Sequence, residues 1–388
     1  MVQLIKRLKG RVRHWSNVRF EEPIVVFESD DWGMWRAPAE KSLISKLGTP
    51  KVWAFDQLET SSELKDFFEL LMQYHDSTGR NPKIVANFIT SMPDFEATIQ
   101  NGFTELCLKP ISGFSDQIKS SWLSGVEAEV FVPQYHGRLH FNAERLLQDL
   151  QENEKSRLIF EAHWNGGLNN LKEGGWRLHS EYMEWENNIN YSPQQIKDWI
   201  SKGVEEFKAV FDFSPLSTIA PQYILPPSIC HQFNELGFTT LQGMNLQIFK
   251  KKNKKKYRNL PIGSRLYPGL VGLGRNVKFE PARNVVGWKA EAALANAHRL
   301  IESRIPVIID SHRINYVGSF RETGLKELRF LLDNLTKKLN VQFLTSFELA
   351  EAIKNDGWYT DFFSGMKNKL TLLGYSRTRE YILKNVKM

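Results

Sequence analysis

The chain has 388 residues, 41% hydrophobic and 24% charged, with a net charge of +7. That balance excludes a disordered or fibrous chain and allows one large domain or two ordinary ones. Cys107 and Cys230 are too few for a disulfide framework or a cysteine-rich metal site, and no apolar run reaches the ~18 residues of a membrane-spanning helix.

The charge is segregated. Residues 1–19 hold six basic residues and no acid, 250–258 hold seven and no acid, and 364–388 hold six against Glu380. These segments exceed the whole net charge, so the remaining body is acidic, unlike a uniformly basic nucleic-acid binder, and nucleic acid is not an expected partner. The first segment also places Leu4, Ile5, Leu8, Val12 and Trp15 near one helical face. It reads either as a solvated leader helix on its own domain or as a helix lying on the inner face of a membrane. No signal-type apolar run follows it, so a cytoplasmic protein is expected. The lysine run reads as a mobile surface loop, or else as a segment that binds phosphate, lipid or nucleic acid.

In chain order, Pro23–Glu28 is a short apolar, β-branched run and reads as a buried strand. Further strands are expected at Lys83–Phe88, Glu129–Pro133, Leu158–Ala162, Leu216–Ala220, Thr239–Gln242, Pro306–Asp310 and Val341–Leu344. Helical spacing falls between many of them: Glu63–Tyr74, Asn142–Asn153, Ser192–Phe211, Pro227–Leu236, Trp288–Ser303 and Gly324–Leu339. Ser192-Pro193 has the form of an N-cap followed by proline at the first helical position. Strands alternating with helices predict βαβ units, a mostly parallel sheet and one barrel-like α/β domain over 21–355, between the leader 1–20 and a basic tail 356–388. The stretches 163–191 and 244–286 read as irregular, lying over one end of the barrel.

Three expected strand ends carry unusual polar residues. After the first comes Glu28-Ser29-Asp30-Asp31-Trp32-Gly33. Adjacent carboxylates there serve a turn or cap, or act as a metal ligand beside a general base; like charges this close are relieved by a cation. After the third comes Tyr135-His136-Gly137-Arg138-Leu139-His140, whose two histidines, four apart, share one face if the segment opens a helix. After Pro306–Ile308 comes Ile309-Asp310-Ser311-His312-Arg313, where Asp310 and Arg313 stand ready to orient the histidine. Two imidazoles, one carboxylate and open positions suit a mononuclear divalent ion, zinc first, with iron, cobalt or nickel fitting the same ligands. A neighbouring carboxylate as base and a histidine as acid complete the machinery of amide or ester hydrolysis.

Ser29-Asp30-Asp31-Trp32-Gly33 with His136-Gly-Arg-Leu-His140-Phe-Asn142 resembles the polysaccharide deacetylases, carbohydrate esterase family four, over roughly 22–350 and in a divergent form. The resemblance implies a distorted (β/α)7-type barrel and a metal-dependent hydrolase that removes an N- or O-linked acetyl group from a sugar or glycan precursor. It implies Asp30 as base, Asp31, His136 and His140 as metal ligands, and His312 as acid. One family feature is missing: an arginine that pairs with the base precedes the Pro-Tyr motif, whereas this chain reads Ala220-Pro221-Gln222-Tyr223. Arg138, Arg283 or Arg313 is the expected substitute, or else the base is tuned in another way. Trp32, Arg138, Tyr223, Arg313 and His163 are candidate substrate contacts, and Trp32, Trp35, Trp164 and Trp176 are candidates for stacking on sugar rings. Two rival readings stand beside this one. The first is a glycosidase pairing Asp30 or Asp31 with Glu28 or Glu161. The second is an inactive homologue that binds glycan or scaffolds an assembly.

Overall fold

The computed structural model describes residues 18–40, 42–43, 52–163, 181–182, 191–251, 254–355 and 360–361. Its centre is a mostly parallel sheet. The strands are β1 (Ile24–Trp32), β2 (Ile84–Ile89), β3 (Phe131–Gly137), β4 (Ser217–Ile219), β5 (Thr240–Met244), β6 (Leu270–Arg275), β7 (Val277–Lys278) and β8 (Val307–His312). All nine residues of β1 and all six of β2 are buried, as expected where helices cover one face of a parallel sheet and packed side chains fill the other.

β8, β1, β2, β3, β4, β5 and β6 pair in that order, each parallel to its neighbour. β7 pairs with the outer edge of β8, matching Val277 to Ile309. Only Asn276 separates β6 from β7. Its backbone N–H donates to Ile308 O at 3.1 Å, and its side chain bridges Pro306 O and Ile308 N. The run 270–278 therefore bonds to β5 with its first half and to β8 with its second. It bridges the two ends of the sheet through an interrupted strand rather than a regular ladder.

Helices Ser61–Met72, Asp116–Glu127, Pro193–Phe211, Ala290–Glu302 and Arg321–Lys337 cover the outside. Ser61–Met72 begins at a capping box between Thr60 and Glu63 and buries Leu64, Phe67, Phe68, Leu70 and Leu71. Pro193–Phe211 opens at Ser192 with proline in its first turn and Gln195 completing the box, the start expected from sequence. Phe67, Phe68, Phe88, Trp122 and Phe131 form the aromatic centre of the main core. Among the described residues no helix is long and apolar enough to cross a membrane.

Two sequence expectations are corrected. Leu158–Ala162 is not a strand but falls on the helix Glu154–Glu161. Asn153 accepts hydrogen bonds from the N–H groups of Lys155 and Ser156, and Ile159 and Phe160 turn into one apolar cluster. The stretch 244–286 is not irregular: it carries a hairpin (Leu246–Lys251 with Lys254–Asn259), the strand Ser264–Tyr267, β6 and β7. Gly272 and Gly274 mark close approach, since a Cβ on Gly274 would lie 2.1 Å from Leu260 O. The lysine run thus lies largely on strands. The leader up to residue 17, most of 163–191, and the tail apart from Thr360–Asp361 lie outside the described residues.

Candidate functional site

The polar residues meet at the C-terminal ends of β1, β3 and β8. β1 pairs regularly with β2 as far as Ser29, then shifts register before Trp32. Asp31 has a left-handed φ of 72°, and Gly33 follows with 74°. A regular strand would send neighbouring side chains to opposite faces; the irregularity lets Asp30 and Asp31 both serve the mouth of the sheet. Such backbone in a non-glycine residue stores strain and recurs at functional sites.

One oxygen or nitrogen from each of Asp31, His136 and His140 lies within 4.8 Å of the other two. His136 Nε2 and His140 Nε2 both stand 3.4 Å from Asp31 Oδ1. The two histidines do not share a helical turn as the spacing suggested: His136 ends β3 and His140 lies in the following loop. His136 Nδ1 lies 3.0 Å from Ile219 O. A proton on Nδ1 makes that hydrogen bond and leaves the Nε2 lone pair facing Asp31, the usual orientation of a metal-binding imidazole. Burial pushes the His140 imidazole down to about 4 despite Asp31, keeping it neutral. Asp31 Oδ1 is buried and receives no hydrogen bond among the described residues. Burial opposes its charge, but Arg36 at 2.7 Å from Oδ2 holds the carboxyl well below its usual range. Two imidazole nitrogens and an ionised oxygen without a donor fit a divalent transition ion.

Beside this trio, Asp30 is gripped by Arg275. Its Nη1 and Nη2 each reach a different Asp30 oxygen at 2.6 Å, and Asn87 donates to Oδ1 at 2.8 Å. Burial works against ionisation of Asp30, yet Arg275 outweighs it and the carboxyl stays far below the usual range. The same guanidinium reaches Glu28 at 2.6 Å and Asp310 at 3.0 Å. Arg275 therefore occupies the place expected of Arg138, Arg283 or Arg313, and those three are corrected. Arg138 is bound to Glu206 and lies over Trp199. Arg283 lies over Trp288 and Trp53. Arg313 is buried on Asp56 and Glu59, so neither Arg138 nor Arg313 offers a free guanidinium to substrate.

Across the mouth, His312 Nε2 lies 3.7 Å from Asp31 Oδ2. Its Nδ1 bonds Glu280. Glu280 is itself fixed at two points: Asn315 Nδ2 donates to its Oε2 at 2.9 Å, and its backbone N–H donates to Trp288 O at 2.7 Å. Burial alone would lower the imidazole, but Glu280 raises it to about 9, so His312 is protonated at neutral pH. Glu280, not Asp310 or Arg313, orients it; Asp310 is taken by Lys278 at 2.7 Å and by Arg275. Tyr223 reaches the same cluster, donating to Asp310 Oδ1 at 3.4 Å.

The remaining sequence candidates fall elsewhere. Trp32 is wholly buried, stacked on Phe67, with its indole N–H on Ser29, so it packs the core and meets no ligand. Trp35 packs on Phe114. His163 stacks on Phe95 and pairs with exposed Glu96, away from the cluster. Trp164 and Trp176 lie outside the described residues. For the glycosidase reading, Glu28 is buried on Arg275 and Ser346 and Glu161 is exposed at a helix end, so neither faces Asp30 or Asp31 across an open cleft. Sequence reasoning missed Arg275, Lys278, Glu280, Arg36 and Trp53. Trp53 carries Arg36 on one ring face at 4.7 Å and lies 5.0 Å from the His312 ring. The signal for three of them was Val271–Glu280, an apolar run with glycines ending in Arg, Lys and Glu.

No family model matches the chain, and no curated protein matches it. Among solved structures, it is similar to a protein from Mycobacterium smegmatis assigned as a polysaccharide deacetylase. Identity is 11%, the TM-score is 0.45, and 90% of this chain and 96% of that one are covered. The Puue allantoinase gives 9%, a TM-score of 0.46 and coverage of 90% and 95%. A family 4 acetyl xylan esterase from Clostridium thermocellum, solved with a cobalt ion, gives 10%, 0.35, and coverage of 85% and 91%. The likeness to these proteins is distant, and at such TM-scores the functional argument rests on the site geometry alone.

Proposed function

We propose that the chain is a metal-dependent hydrolase that removes an N- or O-linked acetyl group from a sugar or glycan precursor. The observation that carries the reading is the convergence of Asp31, His136 and His140 between an ionised Asp30 and a protonated His312. Asp31, His136 and His140 would hold one divalent ion, zinc first among the candidates, and it would supply a Lewis acid and acidify a water. Asp30, kept ionised by Arg275, accepts the proton that this water loses as its oxygen attacks the acetyl carbonyl carbon. His312, kept charged by Glu280, gives its proton to the sugar nitrogen or oxygen as the bond to the acetyl carbon breaks. Acetate and the free amine or hydroxyl leave.

The test is elemental analysis of purified protein together with acetate release from acetylated sugars. Asp31→Ala and His140→Ala are expected to lose metal and activity together. Asp30→Asn is expected to keep the metal and lose at least about a hundredfold in kcat, in the range of general-base loss. Unchanged metal content in both ligand variants would overturn the assignment.

A further inference from the structure

The buried and half-buried cations around the site are matched by carboxylates. Arg275 serves Glu28, Asp30 and Asp310, Arg36 serves Asp31 and Asp56, and Lys278 serves Asp310. Arg283 stands apart. It is exposed, and among the described residues its guanidinium makes no ion pair and no hydrogen bond.

It is nonetheless held in place. Its guanidinium carbon lies 4.7 Å from the Trp288 ring centre and 5.8 Å from that of Trp53. A cation over an indole face is attracted by the ring and keeps its N–H donors for other partners. The backbone that carries it is fixed on the Glu280–His312 pair. Arg283 ends the short turn Pro281–Arg283, and its N–H donates to Glu280 O at 3.1 Å. Asn315, which donates to Glu280 Oε2 at 2.9 Å, accepts from the Ala282 N–H at 3.0 Å. Glu280 in turn holds His312.

The Trp53 ring centre lies 5.0 Å from that of His312. The Arg283 guanidinium therefore stands within 5.8 plus 5.0 Å of the imidazole. From there it meets another substituent of the sugar whose acetyl group lies at the metal trio, or of the next sugar. Its planar donors match the paired oxygens of a carboxylate or phosphate. A neutral hydroxyl offers it little that water does not, whereas an oxyanion adds charge to the hydrogen bond.

We infer that the acetylated sugar taken by this site carries a carboxylate or phosphate, on the acetylated unit or the next, and that Arg283 binds that oxyanion and so sets specificity. This rests on the hydrolase reading for the acetyl end only.

The test compares the zinc-loaded full chain with Arg283→Gln and Arg283→Lys, zinc uptake being checked for each. Calorimetric titration uses glucosamine, which lacks an oxyanion, against muramic acid and glucosamine 6-phosphate, none of which has an acetyl group to lose. One oxyanion probe is expected to bind the wild type at least about tenfold tighter than glucosamine, the scale of a hydrogen bond to a charged group. Which probe it is tells carboxylate from phosphate. Arg283→Gln should remove the preference and Arg283→Lys keep part of it. With the N-acetylated counterparts, the ratio of kcat/KM for charged over uncharged sugar should fall in Arg283→Gln, and through KM. Equal binding of the three probes by the wild type overturns the inference. So does a preference that survives in Arg283→Gln, and so does equal weakening of every probe, which marks a structural role. A preference lost in Arg283→Gln, with no acetate released from any sugar by the wild type, would sink the hydrolase reading and leave the Arg283 contact standing.

Discussion

Arg275 is the residue on which the site depends most. Its guanidinium is buried and meets Glu28, Asp30 and Asp310 at 2.6, 2.6 and 3.0 Å. A planar five-donor group is the only side chain able to serve three carboxylates in one plane. Removing it leaves Glu28 and Asp30 buried without a cation, while Asp310 keeps Lys278; breaking a buried pair costs about 3–5 kcal/mol. Arg275→Ala is therefore expected to lose that much unfolding free energy, read from a lower urea midpoint. The loss should be smaller at pH 5 than at pH 8, because protonation relieves acids that lack a partner. Equal losses at both pH values would mean that the three carboxylates are not what Arg275 serves. Arg36 follows the same logic, bridging Asp31 and Asp56 at 2.7 Å each. The sequence announced the acids of the site through their odd position after a strand. It did not announce their cations, because an arginine on a glycine-bearing run looks like surface until the sheet curls.

The first strand shows how an element converts pattern into chemistry. Its apolar run was legible from composition, and so was the pair of carboxylates behind it. The irregularity that aims both at one mouth was not, because it depends on the φ values of Asp31 and Gly33. A Cβ on Gly33 would lie 2.6 Å from Ile89 O and 2.9 Å from Phe88. Backbone and a buried ring cannot both retreat, and the positive φ adds strain. Gly33→Ala is expected to cost about 1–3 kcal/mol by overpacking and to displace Asp31. Thermal unfolding measures the first effect and zinc titration the second; full stability with full zinc affinity would show that the turn tolerates a side chain. The histidine pair teaches the complementary lesson. The spacing of His136 and His140 was read through a helix, yet a strand end and a loop bring the same nitrogens together. Spacing constrained which residues meet without revealing the backbone that joins them. Leu158–Ala162 failed for a related reason: so short an apolar run carries no period of its own, and the cap at Asn153 decided for helix.

Across the whole molecule, the buried charge around the sheet couples folding to pH in two directions. Asp30 has its pKa depressed, so its contribution to stability is present above the unfolded carboxylate value and is lost as pH falls toward the folded one. Glu28 sits on the same arginine with the opposite sign. Burial raises it to about 7 against the pull of Arg275 and Ser346. Its proton is held more tightly in the folded chain than in the unfolded one, so the stability it contributes is full below about 4.5 and disappears as pH rises through about 7. Glu28→Gln keeps an acceptor for Arg275 Nε and turns an amide N–H toward Ser346 Oγ, but removes the titration. The wild type should therefore lose stability relative to this variant between pH 5 and pH 8, by an amount on the order of a few kcal/mol at most. Denaturant unfolding of both proteins at pH 5, 6.5 and 8 measures the difference. If the gap between them does not change with pH, Glu28 is ionised throughout and Arg275 outweighs its burial. The same shared arginine then links this slope to the site: protonating Glu28 leaves Arg275 more fully to Asp30 and Asp310, whereas ionising it divides the cation among three acids.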